Sequence, residues 1–108
     1  MITVKLLKRN VRTVGFDVSG HSGYAESGSD IICAAVSSAV GLVEAVINDS
    51  MKIKTDVKVD YKTAEVFLSL SEESEKGLEV LSGFERHMKA LSEEYPMYIK
   101  VLEVQSNA

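Results

Sequence analysis

The sequence has a single cysteine, a single proline and no tryptophan, and aromatic residues make up only 6% of its 108 residues. One cysteine cannot form an intramolecular disulfide, which favours a reducing compartment, so we expect a cytoplasmic location. A zinc site needs three or four ligands, and one cysteine with one nearby histidine falls short of that number. We therefore expect no bound metal.

Positively charged residues are also fewer than negatively charged ones. The chain has 12 Lys and Arg against 16 Asp and Glu, which gives a net charge of −4 and a pI near 5.1. Binding to nucleic acid backbones depends on clustered cations, and the basic residues here are scattered or paired. The glycine-rich segment 20–29 lacks the sequence patterns of a P-loop and of a dinucleotide site. Neither a nucleic acid partner nor a cofactor is expected.

Long uninterrupted hydrophobic runs are absent too. A membrane-spanning helix needs roughly 20 consecutive apolar residues. The nearest candidate, residues 31–47, is broken on one face by Ser37, Gly41 and Glu44. Residues 1–9 have too short an apolar run for a secretion signal, and their charges follow that run instead of preceding it. We therefore expect no membrane association.

The chain does contain enough for one domain, residues 1–108, because 45% of its residues are hydrophobic. Alternation of apolar and polar residues predicts two β-hairpins and a final strand. Turns are expected at Asn10 and near Lys62. The predicted strands are residues 2–9, 11–19, 53–61, 64–71 and 97–104.

Two helices complete the expected order ββαββαβ. The first is predicted from an N-cap at Ser29 to about Asn48. The second is predicted over about 72–94, with a capped, acid-rich start at Ser71 and a stop at Pro96. Two helices on one face of a mainly antiparallel sheet is the natural packing of this order, so the predicted fold class is α+β.

The helical periodicity of the first helix separates an apolar side from a polar side. Cys33 is expected in the first helical turns, at the edge of the polar side, which also carries Asp30, Ser37, Gly41 and Glu44. The expected core face consists of Ala35, Val36, Ala39, Leu42, Val43, Val46 and Ile47.

Cys33 and His21 are the candidate catalytic pair. Amide groups at a helix N-terminus stabilise a thiolate, and Gly20 and Gly23 allow a backbone bend that turns the imidazole toward it. Such a pair has the parts of a Cys-His nucleophile. The alternatives remain open at this point, because a free cysteine is commonly a small buried hydrophobic residue and a loop histidine is commonly just exposed.

Three other features have plainer interpretations. His87 lies beside the apolar stripe of the second helix and is expected to be a surface histidine. Tyr24, in the glycine-rich loop, is either a platform for substrate or a lid packed on the sheet. The acidic residues around Glu72 and Glu93 are expected to form solvated helix surfaces.

The residues around the cysteine resemble a known motif. Segment 20–25 reads Gly-His-Ser-Gly-Tyr-Ala, and segment 28–37 reads Gly-Ser-Asp-Ile-Ile-Cys-Ala-Ala-Val-Ser. This resembles the ribosomal-processing cysteine protease family, the Prp (YsxB-like) family, whose motif is Gly-His, a short spacer, then Gly-x-Asp-Ile-Val/Ile-Cys-Ala-Ala-Val-Ser. The spacing from His to Cys agrees, and length, acidity and element order extend the likeness over nearly the whole chain.

The resemblance implies a cytoplasmic cysteine endopeptidase that removes the short N-terminal extension of a large-subunit ribosomal protein. Cys33 would be the nucleophile and His21 its base, with Asp30 and Ser37 as supporting motif positions. It also implies a homodimer and a mobile loop over the active site. The candidate substrate-binding residues of that loop are Gly20, Ser22, Gly23, Tyr24 and Gly28.

Two rival functions compete with a protease. In one, the motif is the docking surface of a non-catalytic, ribosome-associated binding module. In the other, the lone thiol senses oxidants, although the chain has no second cysteine to resolve an oxidised one. For Asp30 and Ser37 there are simpler roles as well, as a helix N-terminal anion and as a small polar surface residue.

Overall fold

The computed structural model describes residues 1–20 and 27–106, with the backbone alone for 27–30. The order of the elements in these residues confirms the predicted ββαββαβ arrangement, with a π-helical segment added after the first helix. The elements are β1 (Ile2–Arg9), β2 (Arg12–Ser19), α1 (Ser27–Glu44), the π-helical segment (Ala45–Ser50), β3 (Thr55–Asp60), β4 (Glu65–Leu70), α2 (Glu75–Glu94) and β5 (Ile99–Gln105).

The five strands form one mixed sheet in the order β3-β4-β2-β1-β5. Three pairings are antiparallel, and β1 pairs with β5 in parallel. The prediction of a mainly antiparallel sheet is therefore confirmed. The parallel pairing arises because the chain reaches β5 only after crossing through α2, which brings β5 back alongside β1.

Both helices pack on the same face of this sheet, as predicted. Alternate residues of the central strands, among them Leu6 and Phe16, are fully buried together with side chains of both helices. The rings of Phe16 and Phe84 lie 4.5 Å apart between their centroids, which joins β2 to α2. The helices contribute Ile32, Val36, Val40, Val43, Ile47, Leu81, Phe84 and Met88 to this core.

The start and the buried face of α1 differ from the prediction. The helix begins at Ser27, so Ser29 lies inside it instead of capping it, and Cys33 lies in its second turn. The predicted core residue Leu42 is 65% exposed, whereas Ile32 and Val40 are buried. At 100° per residue the buried residues Ile32, Val40 and Ile47 share an arc of roughly 80° and Leu42 lies outside it, so the predicted core face is centred too far toward Leu42. Residues 45–50 form a π-helical segment, in which the Met51 amide donates to the Val46 carbonyl.

The predicted boundaries of α2 lie close to the observed ones, but the predicted N-cap at Ser71 is wrong. The N-cap is Ser74, whose hydroxyl accepts a hydrogen bond of 3.0 Å from the Gly77 amide. Ser71 does not cap the helix because α2 begins only at Glu75, and the Ser71 amide donates to the Lys54 carbonyl, next to the β3–β4 pairing. The predicted turn near Lys62 is confirmed, since its amide donates to the Asp60 carboxylate.

One helix among the described residues, Ile31–Ser50, is long and apolar enough to cross a membrane by length and composition, with a mean hydropathy of 1.9. The polar residues that interrupt it do not lower its hydropathy below that of a candidate span. In this fold its apolar residues Val36, Val40 and Ile47 are buried in the core. Of this apolar window, 28% is buried within the described structure.

Candidate active site

Cys33 is a free, half-buried thiol at the border between the core and an open groove. It packs against the core cluster on one side, and on the other side it lines the groove. Ile32 and Val36, its neighbours on α1, are buried and fix the rotation of the helix. This placement makes Cys33 part of a concave surface and not a fully buried core residue.

The groove has a volume of about 280 Å³ and runs between α1 and the sheet. Its α1 wall contains both polar and apolar residues, and its sheet wall is almost entirely apolar. The lining residues are Cys33, Val36, Ser37, Val40, Gly41 and Glu44 on α1, and Ile2, Val18, Gly20, Val59, Ala64 and Val66 on or beside the strands.

Gly20 lies at one edge of this groove, directly after β2. Its φ angle is +91°, a conformation that favours glycine, and a Cβ atom there would collide with the carbonyl oxygen of Met1. These facts explain why residue 20 is a glycine, and its predicted part in substrate binding stays a prediction. The glycine permits the chain to pass close to the N-terminal residue as it leaves the sheet.

The described residues include only part of the predicted site. Cys33, Ser37 and Gly20 line one groove. Gly28, expected in the loop, falls within α1, as does Asp30, whose backbone occupies the fourth position of the helix. His21, Ser22, Gly23 and Tyr24 lie outside the described residues.

The sequence analysis did not predict that Gly41 and Glu44 line the groove. Both were assigned to the polar side of the first helix, and that side forms the α1 wall of the groove. The signal was their helical spacing from Cys33, which places all three on one side of α1. The opposite wall was not foreseeable from local patterns, because Val59, Ala64 and Val66 come from β3, β4 and the turn between them.

The strongest electrostatic cluster lies away from the groove. Glu85 of α2 accepts hydrogen bonds from Lys8, Thr13 and Lys89. Burial alone would raise the pKa of Glu85, but these hydrogen bonds outweigh it and lower the pKa to about 2. Lys8 and Thr13 lie at the end of the β1–β2 hairpin opposite to Ile2 and Val18, so this cluster serves the fold and not the thiol.

A second, wider depression of about 880 Å³ contains no cysteine or histidine. It lies between the β1–β2 turn and the start of α2, and its walls carry charges of both signs, including Arg12 and Glu73. An ion pair of 3.0 Å between Arg12 and Glu75 crosses it. The hydroxyl-bearing residues Ser69, Ser71 and Ser74 are among its lining residues. His87, as predicted, is exposed on α2.

Among the residues that the structure describes, no group of three or more His, Cys, Asp or Glu side chains could hold a metal ion. The described groove does contain a free thiol, that of Cys33. A thiol hydrolase requires such a thiol beside an open groove, since sulfur is the nucleophile of that class.

Comparison with known protein families shows which kind of thiol hydrolase this chain is. The family model described as "Cysteine protease Prp" matches residues 1–100. The chain therefore belongs to the Prp family of cysteine proteases, and it is a cysteine protease. The resemblance of segments 20–25 and 28–37 to that family is confirmed.

Solved structures show the same fold. SMU.848 from Streptococcus mutans has a TM-score of 0.87 and 21% identity, with 98% of this chain and 99% of that chain covered. The essential ribosomal processing protease Prp from S. aureus, in complex with a substrate peptide, has a TM-score of 0.86 and 19% identity, with 96% and 100% covered. A complex of the S. aureus protease with a covalently linked product peptide has a TM-score of 0.79 and 22% identity, with 96% and 100% covered. No curated protein sequence matches the chain significantly.

Proposed function

We propose that this protein is a cytoplasmic endopeptidase that removes the short N-terminal extension of a large-subunit ribosomal protein. Membership of the Prp family supports the chemistry. The similar S. aureus protein is a ribosomal processing protease that has been crystallised with a substrate peptide, which supports the substrate class. The single observation that carries the proposal is the free Cys33 thiol in an open groove of about 280 Å³.

In the proposed mechanism, the Cys33 sulfur attacks the scissile carbonyl carbon and forms a thioester as the C–N bond breaks. His21 accepts the thiol proton and then donates it to the leaving amine. Water hydrolyses the thioester, with His21 as the base, and restores the thiol. The amides of residues 27–30 open α1 and have no partner within the helix, so they are the candidate donors to the oxyanion.

Asp30 and Ser37 have supporting roles in this proposal. Asp30 precedes Cys33 by three residues on α1, so the two lie on nearly the same side of the helix. From there Asp30 would orient the imidazole of His21. Ser37 follows Cys33 by one turn and lines the same groove, where its hydroxyl is exposed to a bound peptide.

The proposal also includes a homodimer. Ile31 and Leu42 are 68% and 65% exposed, and their spacing places them on the same side of α1, away from the core. These side chains offer an apolar surface to a second copy of the chain. Sedimentation of the wild type and of a Leu42→Asp variant tests this, since the variant should shift toward the monomer.

The decisive experiment is cleavage of a peptide that spans the extension junction of the ribosomal protein, followed by mass spectrometry. We expect a single cut by the wild type and none by Cys33→Ala, and we expect His21→Ala to lower kcat by roughly 10²–10⁴-fold. Ser38→Ala, an exposed serine of α1 outside the groove lining, is the matched control and should cleave normally.

The binding-module alternative makes the opposite prediction. If neither the wild type nor Cys33→Ala cuts the peptide, yet both bind it with the same affinity, the protease mechanism is wrong for this substrate. An oxidant-sensing role would instead appear as oxidation of Cys33 by peroxide without any peptide cleavage.

A further inference from the structure

The groove extends well beyond the thiol along α1. Cys33, Ser37, Gly41 and Glu44 line it in succession, and their helical spacing keeps them on one side of the helix. At a rise of 1.5 Å per residue, Cys33 and Glu44 are separated by roughly 16 Å along the helix axis. An extended peptide advances about 3.3 Å per residue, so this length accommodates roughly five residues.

Gly41 occupies the middle of this wall although it lies in a helix interior, where glycine costs about 1 kcal/mol relative to alanine. Among the residues that the structure describes, a Cβ atom built at Gly41 meets nothing within 4 Å, so no packing contact with them requires a glycine. The open space in front of Gly41 is groove volume. A glycine that the fold does not need, facing a groove, leaves room for the backbone of a bound peptide.

Glu44 is the α1 lining residue farthest along the helix from Cys33, and it carries the single charge among the described lining residues of the groove. The residue is half-buried, yet its carboxylate makes no hydrogen bond or ion pair with any residue that the structure describes. The neighbouring wall contains the apolar Val59 and Val66. A carboxylate in such surroundings is stabilised most by forming an ion pair with a cation that the bound ligand supplies.

We propose that the substrate peptide lies extended along α1 over Gly41, and that Glu44 binds a Lys or Arg side chain about five residues from the scissile bond. This inference rests on the proposed function of Cys33 and adds to it a basic specificity site. The apolar sheet wall would contact the uncharged side chains of the peptide that lie between Cys33 and Glu44. Glu44 is thereby a specificity-determining residue and takes no part in bond cleavage.

A charge-swap series tests the site. Peptides that carry one Lys, moved through the third to sixth positions on either side of the scissile bond, are compared with the same peptides carrying Glu. For the wild type we expect one position on one side where Lys gives a kcat/KM about tenfold higher than Glu, mainly through KM. Glu44→Lys should invert this preference, and Glu44→Gln should abolish it.

The control for net charge is Glu93→Lys, an exposed glutamate of α2 far from the groove lining, which should keep the wild-type preference. Binding of the same peptides to Cys33→Ala, measured by fluorescence anisotropy, provides a readout independent of cleavage. The preference should weaken as ionic strength rises. Equal kcat/KM for Lys and Glu at every position, with Cys33-dependent cleavage intact, would overturn the inference but leave the proposed function standing.

A second pair of variants tests the path over Gly41. Gly41→Ala and Gly83→Ala each add one methyl group at an open position in a helix, so both should stabilise the fold by similar amounts. Gly83 lies outside the groove lining. We expect Gly41→Leu to raise KM at least about tenfold while Gly83→Leu leaves it unchanged. Equal KM values for the two leucine variants would contradict the proposed path.

Discussion

The ammonium group of Lys8 lies 2.7 Å from a carboxylate oxygen of Glu85, and this ion pair ties the end of β1 to α2. The hydroxyl of Thr13 accepts a hydrogen bond of 2.9 Å from Lys8 and donates one to Glu85. Lys89, one turn along α2, donates to the second carboxylate oxygen at 3.0 Å. The Lys8 side chain is only 9% exposed, so these partners replace hydrogen bonds to water that its ammonium group loses on folding.

The first prediction is a pH dependence of stability that Glu85 carries. The folded-state pKa of about 2 lies below the usual 4.5, so the stabilisation is present above pH 4.5 and is lost as pH falls through 2. Its size at neutral pH is on the order of 3 kcal/mol. Urea unfolding between pH 2 and 7 should show that Glu85→Gln is less stable at pH 7 and varies less with pH below 4.5.

The matched control for this measurement is Glu93→Gln, which removes an exposed carboxylate from the same helix. It should keep the wild-type stability within about 0.5 kcal/mol and the wild-type pH profile. Coincident profiles for Glu85→Gln and the wild type would show that the Lys8–Glu85 pair contributes nothing to folding.

A second prediction concerns Gly20, where the backbone has a positive φ and a side chain would meet the Met1 carbonyl. Gly20→Ala should destabilise the fold by about 2 kcal/mol, because it adds both backbone strain and a steric collision. Thermal unfolding measures this loss. Gly83→Ala, in open space on α2, should raise the melting temperature, so a loss common to both variants would exclude the steric explanation.

The third prediction separates two serines near the start of α2. Ser74 caps the helix through its hydroxyl, whereas Ser71 uses only its backbone amide. Ser74→Ala should therefore cost about 1 kcal/mol of unfolding free energy, and Ser71→Ala should change it by less than about 0.5 kcal/mol. Chemical denaturation of both variants checks the assignment, and the reverse order would place the cap at Ser71.

A fourth prediction concerns access to the thiol. Because Cys33 lines an open groove, iodoacetamide should alkylate it in the folded protein, and loss of activity should follow the modified fraction. A peptide bound in the groove should slow this alkylation. Mass spectrometry follows the reaction directly, and activity that survives complete alkylation would remove Cys33 from the mechanism.

Much of the fold follows from local patterns in the sequence. The strand alternation gave all five strands within about two residues, and the turn chemistry around Asp60 fixed the second hairpin. The parallel pairing of β1 with β5 required long-range information, because strand order depends on which residues α2 buries. The exposed Leu42 shows a different limit: apolar residues occur on more than one side of α1, so periodicity alone does not single out the side that packs in the core.

The candidate site likewise has one part that local sequence patterns predict and another that depends on the tertiary fold. The motif around Cys33 identified the family because its positions are adjacent along the chain, whereas Cys33 as the nucleophile stays a prediction. The groove was only half predictable: Ser37 and Gly41 follow from helical spacing, whereas Val59 and Val66 reach Cys33 only through the tertiary fold. The Lys8–Glu85 pair, which joins residues from β1 and α2, left no local signal at all.

The central claim is that the Cys33 sulfur forms a covalent thioester with the substrate. The most direct measurement is rapid acid quenching of the protein with the extension-junction peptide, followed by mass spectrometry of the intact protein and its fragments. We predict the N-terminal part of the peptide attached to Cys33 at early times, appearing before product and disappearing with turnover. Cleavage with no adduct on Cys33, accompanied by undiminished cleavage by Cys33→Ala, would contradict the account.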